Sequence, residues 1–338
     1  MKKIFLLVIA LLLTAGFSQT AFATADPRLD TAVSNAASYL LRTVPNPQVA
    51  AVGGEWSVIA LARSEHNVPN AFYERYHRAL IQHLRENNGV LDTRRHTEYS
   101  RVILALTAVG YDPSDVAGFN LLLPLGDFEQ TIWQGINGPI FALIALDSLT
   151  YEIPINSTAA TKATREMYIA EILRRQTSDG GWNMTAGLGG ASISRNERGQ
   201  ADITGMALQA LAPYQNNPAV RNATRRALIF LSRSQDPGGG FGSGSAGNSG
   251  TVESAVQVLV ALNELDISVN DTRFVKNGNN LIDNILSFQN SDGSFSHSRD
   301  STESDLMSTE QALYGLVSAQ RALAGRNSLY SMNDRRAR

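Results

Sequence analysis

The chain has 338 residues, 43% hydrophobic, 18% charged and 7% aromatic, and its 29 Lys and Arg against 31 Asp and Glu leave a net charge of −2. That length allows two domains or one large one, with a sizeable core either way. The near-neutral balance, without a Lys/Arg block, excludes a basic nucleic-acid binder. With no cysteine, a disulfide scaffold, thiolate zinc ligands, a thiol nucleophile and a Cys-based thioester are excluded together.

Residues 1–25 read as a secretory signal peptide. Lys2 and Lys3 form a positive start, Ile4 to Leu13 is an unbroken apolar run, and small-residue cleavage patterns follow at Ala21-Phe22-Ala23 and Ala23-Thr24-Ala25. The run is short for a bilayer span. The expectation is a secreted or cell-surface protein, cleaved near Ala23 or Ala25.

From residue 26 onward the pattern is helical. Amphipathic, charged helices are predicted over Asp30–Arg42, Phe72–Arg85, Thr164–Arg175, Val220–Arg233 and Asn279–Phe288, with a shorter, looser one near Val116–Leu123. Each is followed or preceded by an apolar, small-residue helix. These carry Ser57-Val58-Ile59-Ala60-Leu61, Val102-Ile103-Leu104-Ala105-Leu106, Ala142-Leu143-Ile144-Ala145-Leu146, Ala207-Leu208-Gln209-Ala210-Leu211, Val258-Leu259-Val260-Ala261-Leu262 and Ala312-Leu313-Tyr314-Gly315-Leu316. The closing leucines are 45, 40, 65, 51 and 54 residues apart, room for two helices and two connections per unit. Half-exposed helices alternating with buried ones predict two concentric layers: an all-α fold, an α/α toroid of about six helix pairs over residues 26–324. An open superhelix of the same repeats is the alternative. Asp202 with Thr204, Thr251-Val252-Glu253, and Ser308-Thr309-Glu310 supply capping residue types at three inner-helix starts.

One turn recurs after three outer helices. It reads Gln176-x3-Gly180-x-Trp182, Gln235-x3-Gly239-x-Phe241 and Gln289-x3-Gly293-x-Phe295. The glycine allows the left-handed backbone that ends a helix, the Gln can bond backbone at a neighbouring helix end, and the ring can pack across the seam between units.

These turns resemble the QW repeat of the terpenoid cyclase and protein prenyltransferase superfamily, whose shared fold is the α/α toroid. The stretch Ala201 to Leu211 is also similar to the inner-helix signature of the intrinsic factor and transcobalamin α-domain. Together with the leader, the pattern resembles secreted bacterial proteins of the prenyltransferase/squalene-oxidase-repeat type. The resemblance implies a bulky ligand, terpenoid or cobalamin-like, held at the rim or in the central cavity, with no cofactor required and a cell-surface or second binding subunit as a further partner.

The chemistry of the related enzymes is not carried over intact. There is no Asp-x-Asp-Asp and no Asp-Asp pair at all, so a cyclase would need a diverged acid, for which Asp202 is the candidate. Asp-Asp-x-x-Asp is likewise missing, and without Cys the prenyltransferase zinc site cannot form. The five histidines, His66, His77, His83, His96 and His297, show no ligand spacing, so no metal is expected. The expectation is a non-catalytic ligand-binding toroid, with a terpenoid cyclase as the alternative. A carbohydrate-active toroid ranks below both. It would draw on Glu55, Glu98, Asp202, Glu253 and Glu310 as carboxylates, and on Trp56, Tyr99, Trp133 and Trp182 as stacking rings. The expected rim and cavity residues are Trp56, Tyr99, Trp133, Asp202, Glu253 and Glu310.

The Gly/Ser-rich run Gly238 to Gly250 lacks the Lys-Ser/Thr of a phosphate loop and reads as a connection at the mouth, able to flap over a ligand. Ala186 to Gly199 reads as a second such connection. Residues 325–338 read as a solvated polar tail.

Overall fold

The computed structural model describes residues 26–242 and 250–335. The predicted leader and the middle of the Gly/Ser-rich connection lie outside the described residues. The helices are α1 (Pro27–Thr43), α2 (Glu55–Arg63), α3 (Asn70–Glu86), α4 (His96–Val109), α5 (Phe128–Ile132), α6 (Asn137–Asp147), α7 (Arg165–Arg174), α8 (Ala201–Leu211), α9 (Pro218–Ser234), α10 (Val252–Glu264), α11 (Leu281–Leu286) and α12 (Leu306–Leu323).

The even-numbered helices form the inner layer. Each packs on the next, α2 on α4, α4 on α6, α6 on α8, α8 on α10 and α10 on α12, and α12 returns to α2. The ring is closed, which decides for the α/α toroid against the open superhelix. These helices are buried nearly all round; in α6 every residue from Gly138 to Leu146 is buried. Small residues let their backbones approach. A Cβ on Gly205 would lie 2.7 Å from the Gln257 carbonyl, so α8 and α10 touch through it.

The outer helices are amphipathic and bury one stripe. Helix α3 turns Phe72, Tyr73, Tyr76, Leu80 and Leu84 inward, while α9 buries Val220, Ala223, Thr224, Ala227, Leu228 and Leu231. The sixth outer position departs from expectation. Residues 116–123 form no α-helix; a Val116–Phe119 bridge leads into a 3-10 turn over Leu123–Gly126 and the short α5. The cause is local. Asp112, Asp115 and Asn120 each accept a bond from a backbone N–H two or three residues on, which offers the chain turns in place of a helix. Pro113 and Pro124 break what remains.

The three repeated turns lock neighbouring units together. Gln176 donates to Gly180 O (2.7 Å) and to Ala223 O of α9 (2.9 Å). Gln235 donates to Gly239 O (2.8 Å) and Phe274 O (2.9 Å), ahead of α11. Gln289 donates to Ala32 O of α1 (3.0 Å), joining the last unit to the first. The Gln therefore reaches the next outer element, within its helix in two cases, and not only a helix end. Trp182, Phe241 and Phe295 are fully buried behind these turns, and the Trp182 indole donates to Ile172 O (2.7 Å).

The C-terminal segment is not a solvated tail. Leu329 and Met332 are fully buried and Tyr330 nearly so. The Arg63 guanidinium donates to the carbonyls of Ser328, Leu329 and Ser331 and to the Asp334 carboxylate (2.7 Å). Glu264, at the C-terminal end of α10, accepts from the Ser328 hydroxyl (2.6 Å) and Tyr330 N–H (3.2 Å). The charged cluster at the very end of the chain disguises three apolar side chains that cover the C-terminal ends of the inner helices.

Candidate functional site

All six inner helices begin at the same mouth of the toroid. Their N-terminal portions surround one cavity of 680 Å³, to which α2 gives Trp56, α4 Thr97, Glu98 and Arg101, α6 Asn137 and Phe141, α8 Asp202 and Met206, α10 Glu253, Ser254 and Gln257, and α12 Met307, Gln311 and Tyr314. Ala50, Ala51 and Val52, in the connection ahead of α2, form a lip, and Arg95 and His297 complete the wall. Parallel helix starts turn six positive dipole ends toward this space, which favours the acidic residues found there.

The floor is aromatic. The Trp56 ring lies 5.8 Å from Phe141 and 5.3 Å from Tyr314, both tilted, and Gln257 donates to the Tyr314 hydroxyl. The wall is polar. Glu98 is paired with Arg101 and, at 3.3 Å, with Arg95. Glu253 accepts from the Ser308 hydroxyl, and its second oxygen lies 3.0 Å from His297 Nδ1. Burial raises the Asp202 carboxyl above the usual carboxylate range, the backbone N–H groups at the start of α8 work against this, and the nearby Glu253 adds to it.

Of the six expected rim and cavity residues, the structure brings Trp56, Asp202 and Glu253 together. Glu310 is one layer deeper, buried behind the lip, and accepts from Gly53 N–H and the Ser57 hydroxyl, both at 2.9 Å. Tyr99 is buried, its hydroxyl accepting from Leu91 N–H (3.1 Å), and does not line the cavity. Trp133 is 56% exposed and does not line the cavity, with the Arg94 guanidinium over its ring. Glu55 is also buried, accepting from Ala50 N–H and the Tyr76 hydroxyl, both at 2.9 Å.

The capping expectation holds for Thr251, whose hydroxyl accepts from Ser254 N–H. It fails for the other two starts. The N-cap of α12 is Asp305, and that of α8 is Gln200, which leaves Asp202 inside the first turn, lining the cavity. Among the cavity residues that sequence reading missed are Arg95, Thr97, Arg101, Asn137, Phe141, Gln257, Gln311, Tyr314 and His297. Helical spacing carried a signal for two of them: Arg101 stands three residues after Glu98, and Gln257 four after Glu253. His297 and Arg95 arrive from loops and had none. Among the described residues, no group of three His, Asp or Glu side chains is arranged to hold a metal ion. His96 instead bonds Thr131 and His77 stacks on Tyr111.

A second cavity of 580 Å³ lies at the opposite end, between α6, α8, α10 and the C-terminal segment. Most of its charged wall is already engaged: Asp147 binds both Arg165 (2.8 Å) and the Tyr214 hydroxyl (2.6 Å), and Glu264 holds the C-terminal segment. The mouth is the better candidate.

No protein-family model matches the chain, and no curated protein sequence matches it. Solved structures do. The type II terpene cyclase MstE from Scytonema superimposes with a TM-score of 0.53 at 17% identity, over 88% of this chain and 100% of that one. An MstE variant with its substrate geranylgeranyl dihydroxybenzoate gives a TM-score of 0.54 at 16% identity, over 88% and 98%. Unsaturated glucuronyl hydrolase from Bacillus sp. GL1, responsible for the degradation of glycosaminoglycan, gives 0.58 at 11% identity, over 91% and 100%. At these identities the likeness is one of fold: the chain is an all-α, α/α toroid protein, built like these two groups of enzymes.

Proposed function

We propose that the mouth of the toroid binds a small polyhydroxylated ligand of the saccharide class, resting one apolar ring face on Trp56. The observation that carries this reading is the lining itself: one aromatic floor under a ring of amides, hydroxyls, carboxylates and guanidiniums. A site for a purely hydrocarbon ligand is lined mostly by apolar side chains with few polar groups. Here Asn137 Oδ1 has no partner among the described residues, and Gln311, whose Oε1 accepts from Gln257, keeps its amide N–H groups for a ligand, the kind of donor and acceptor that hydroxyl groups satisfy. The terpenoid ligand implied by the repeat resemblance is thereby a weaker fit, and nothing in the lining or in the matched structures named above supports cobalamin.

Calorimetric titration with di- and trisaccharides, neutral and uronic, tests the reading. Saturable binding that Trp56→Ala abolishes is expected. Binding of geranylgeranyl compounds with no response to any saccharide would contradict it.

A second reading adds turnover. It is favoured by Asp202, whose carboxyl is kept protonated to higher pH by burial and faces the same cavity as Glu253. A protonated acid beside a second carboxylate can deliver a proton to a bound ligand. Turnover that survives in wild type but is lost in Asp202→Asn, with ligand affinity retained, would mark Asp202 as a general acid. Equal behaviour of the two proteins would leave the site a binding site only.

A further inference from the structure

Trp133 was expected in the cavity and stands outside it, yet it is not loosely placed. Its N–H donates to Glu129 O (3.1 Å), ending α5. The next side chain, Gln134, accepts from the Thr97 hydroxyl (2.9 Å) and the Thr97 N–H (3.3 Å) at the start of α4. Gly138, three residues beyond Gln134's neighbour Gly135, is packed so closely that a Cβ there would lie 1.8 Å from Thr131 O. The turn carrying Trp133 is thus clamped between α4 and α6, and its anchor Thr97 lines the cavity, as does Asn137 four residues after Trp133.

The indole is 56% exposed and held on a rigid turn, a flat amphipathic ring open to stacking. Its partner is Arg94, whose guanidinium carbon lies 5.4 Å from the ring centroid. Neighbouring Arg95 is committed to Asp92 (2.8 Å) and Glu98, whereas the Arg94 guanidinium forms no ion pair among the described residues. An indole with a planar cation over one face, and no carboxylate yet paired with that cation, suits a ligand ring that bears a carboxylate.

We infer that Trp133 and Arg94 form an outer subsite, continuous with the mouth, that takes a further acidic sugar ring of a chain-like ligand. This rests on the saccharide reading of the cavity. The mouth holds the end of the chain over Trp56, and the outer subsite stacks a later uronic residue on Trp133 with its carboxylate toward Arg94.

Calorimetry with di- and hexagalacturonide, and with neutral cello-oligosaccharides of the same lengths, tests the assignment on the full mature chain. In wild type the hexamer is expected to bind about tenfold more tightly than the dimer. Trp133→Ala removes that gain while leaving dimer affinity unchanged, Trp133→Phe keeps part of it, and Arg94→Ala removes the preference for the charged hexamer over the neutral one. Dimer binding with no gain in length, or a gain that persists in Trp133→Ala, overturns the outer subsite and leaves the cavity reading standing. Failure of every oligomer to bind the wild type overturns both.

Discussion

The N–H of Gly53 donates a 2.9 Å bond to the carboxylate of Glu310, across 257 residues of sequence. The connection ahead of α2 is thereby fastened to the second turn of α12, and the ring closes at the lip of the cavity. Ser57 donates to the same oxygen, and Glu55 grips the other side of the lip through Ala50 N–H. The lip also contains Ala50 in a left-handed conformation, φ 55°, which a non-glycine residue adopts only when its surroundings hold it there.

Replacing Glu310 should therefore separate charge from hydrogen bonding. Glu310→Ala orphans two buried donors and is expected to cost roughly 2–4 kcal/mol in urea unfolding. Glu310→Gln keeps an acceptor for both and should cost no more than about 1 kcal/mol. Equal losses would show that the carboxylate does not hold the lip.

The same residue predicts a pH dependence. Burial, reinforced by Glu55, pushes the Glu310 carboxyl up to about 7, and burial does the same to Glu264 beneath the C-terminal segment. Both groups bind protons more tightly folded than unfolded, so their contribution is fully present below the ordinary carboxylate range. It is lost as pH rises through about 7. Stability should fall by roughly 1–3 kcal/mol between about pH 5 and 8. The slope should flatten in the Glu310→Gln, Glu264→Gln double variant, as measured by denaturant midpoints across that range. A rise over the same interval would contradict the assignment.

The C-terminal segment should behave as core. Truncation after Gly325 uncovers Leu329, Tyr330 and Met332 and strands the buried Arg63, Arg321 and Glu264. A loss of about 5 kcal/mol or failure to fold is expected. If the truncated chain cannot be isolated, Met332→Ala, at a site with no exposure, should still cost roughly 2–4 kcal/mol. Unchanged thermal unfolding in Met332→Ala would restore the reading of a solvated tail.

Two glycines with similar backbones separate strain from collision. Gly180 has φ 96° and Gly118 has φ 89°. A Cβ at Gly180 would sit 2.7 Å from Arg226 O in the neighbouring outer helix, whereas nothing lies within 4 Å at Gly118. Alanine at Gly118 should cost about 1 kcal/mol of backbone strain alone, and at Gly180 clearly more, because the seam between units must open. Equal destabilisation would mean that the repeated turn does not set the spacing of the units.

The layered fold was legible because alternation of charged and apolar helices is a periodic signal, and six small-residue pentapeptides map onto the six inner helices. The loop at Val116–Leu123 was misread because short Asp and Asn side chains bonding their own backbone leave a weak helical pattern unformed. The C-terminal segment was misread because Arg and Asp outweigh Leu329, Tyr330 and Met332 in composition, although those three decide the packing. At the site, acids near helix starts were found, but position along a helix does not reveal depth. Asp202 and Glu253 face the cavity, while Glu310 turns back to hold the lip. His297 and Arg95 reach the cavity from loops, whose course only the folded chain defines.

The mouth as ligand site is tested most directly through Trp56. In a Trp133→Phe protein the remaining indoles are Trp56, in the cavity, and Trp182, which has no exposure. Quenching of this protein's fluorescence by acrylamide therefore reports access to Trp56. A saturating short saccharide is predicted to shield the quenchable component, and Gln257→Ala to weaken that shielding. Quenching that is unchanged at saccharide concentrations shown by calorimetry to be bound would place the ligand elsewhere and contradict the account.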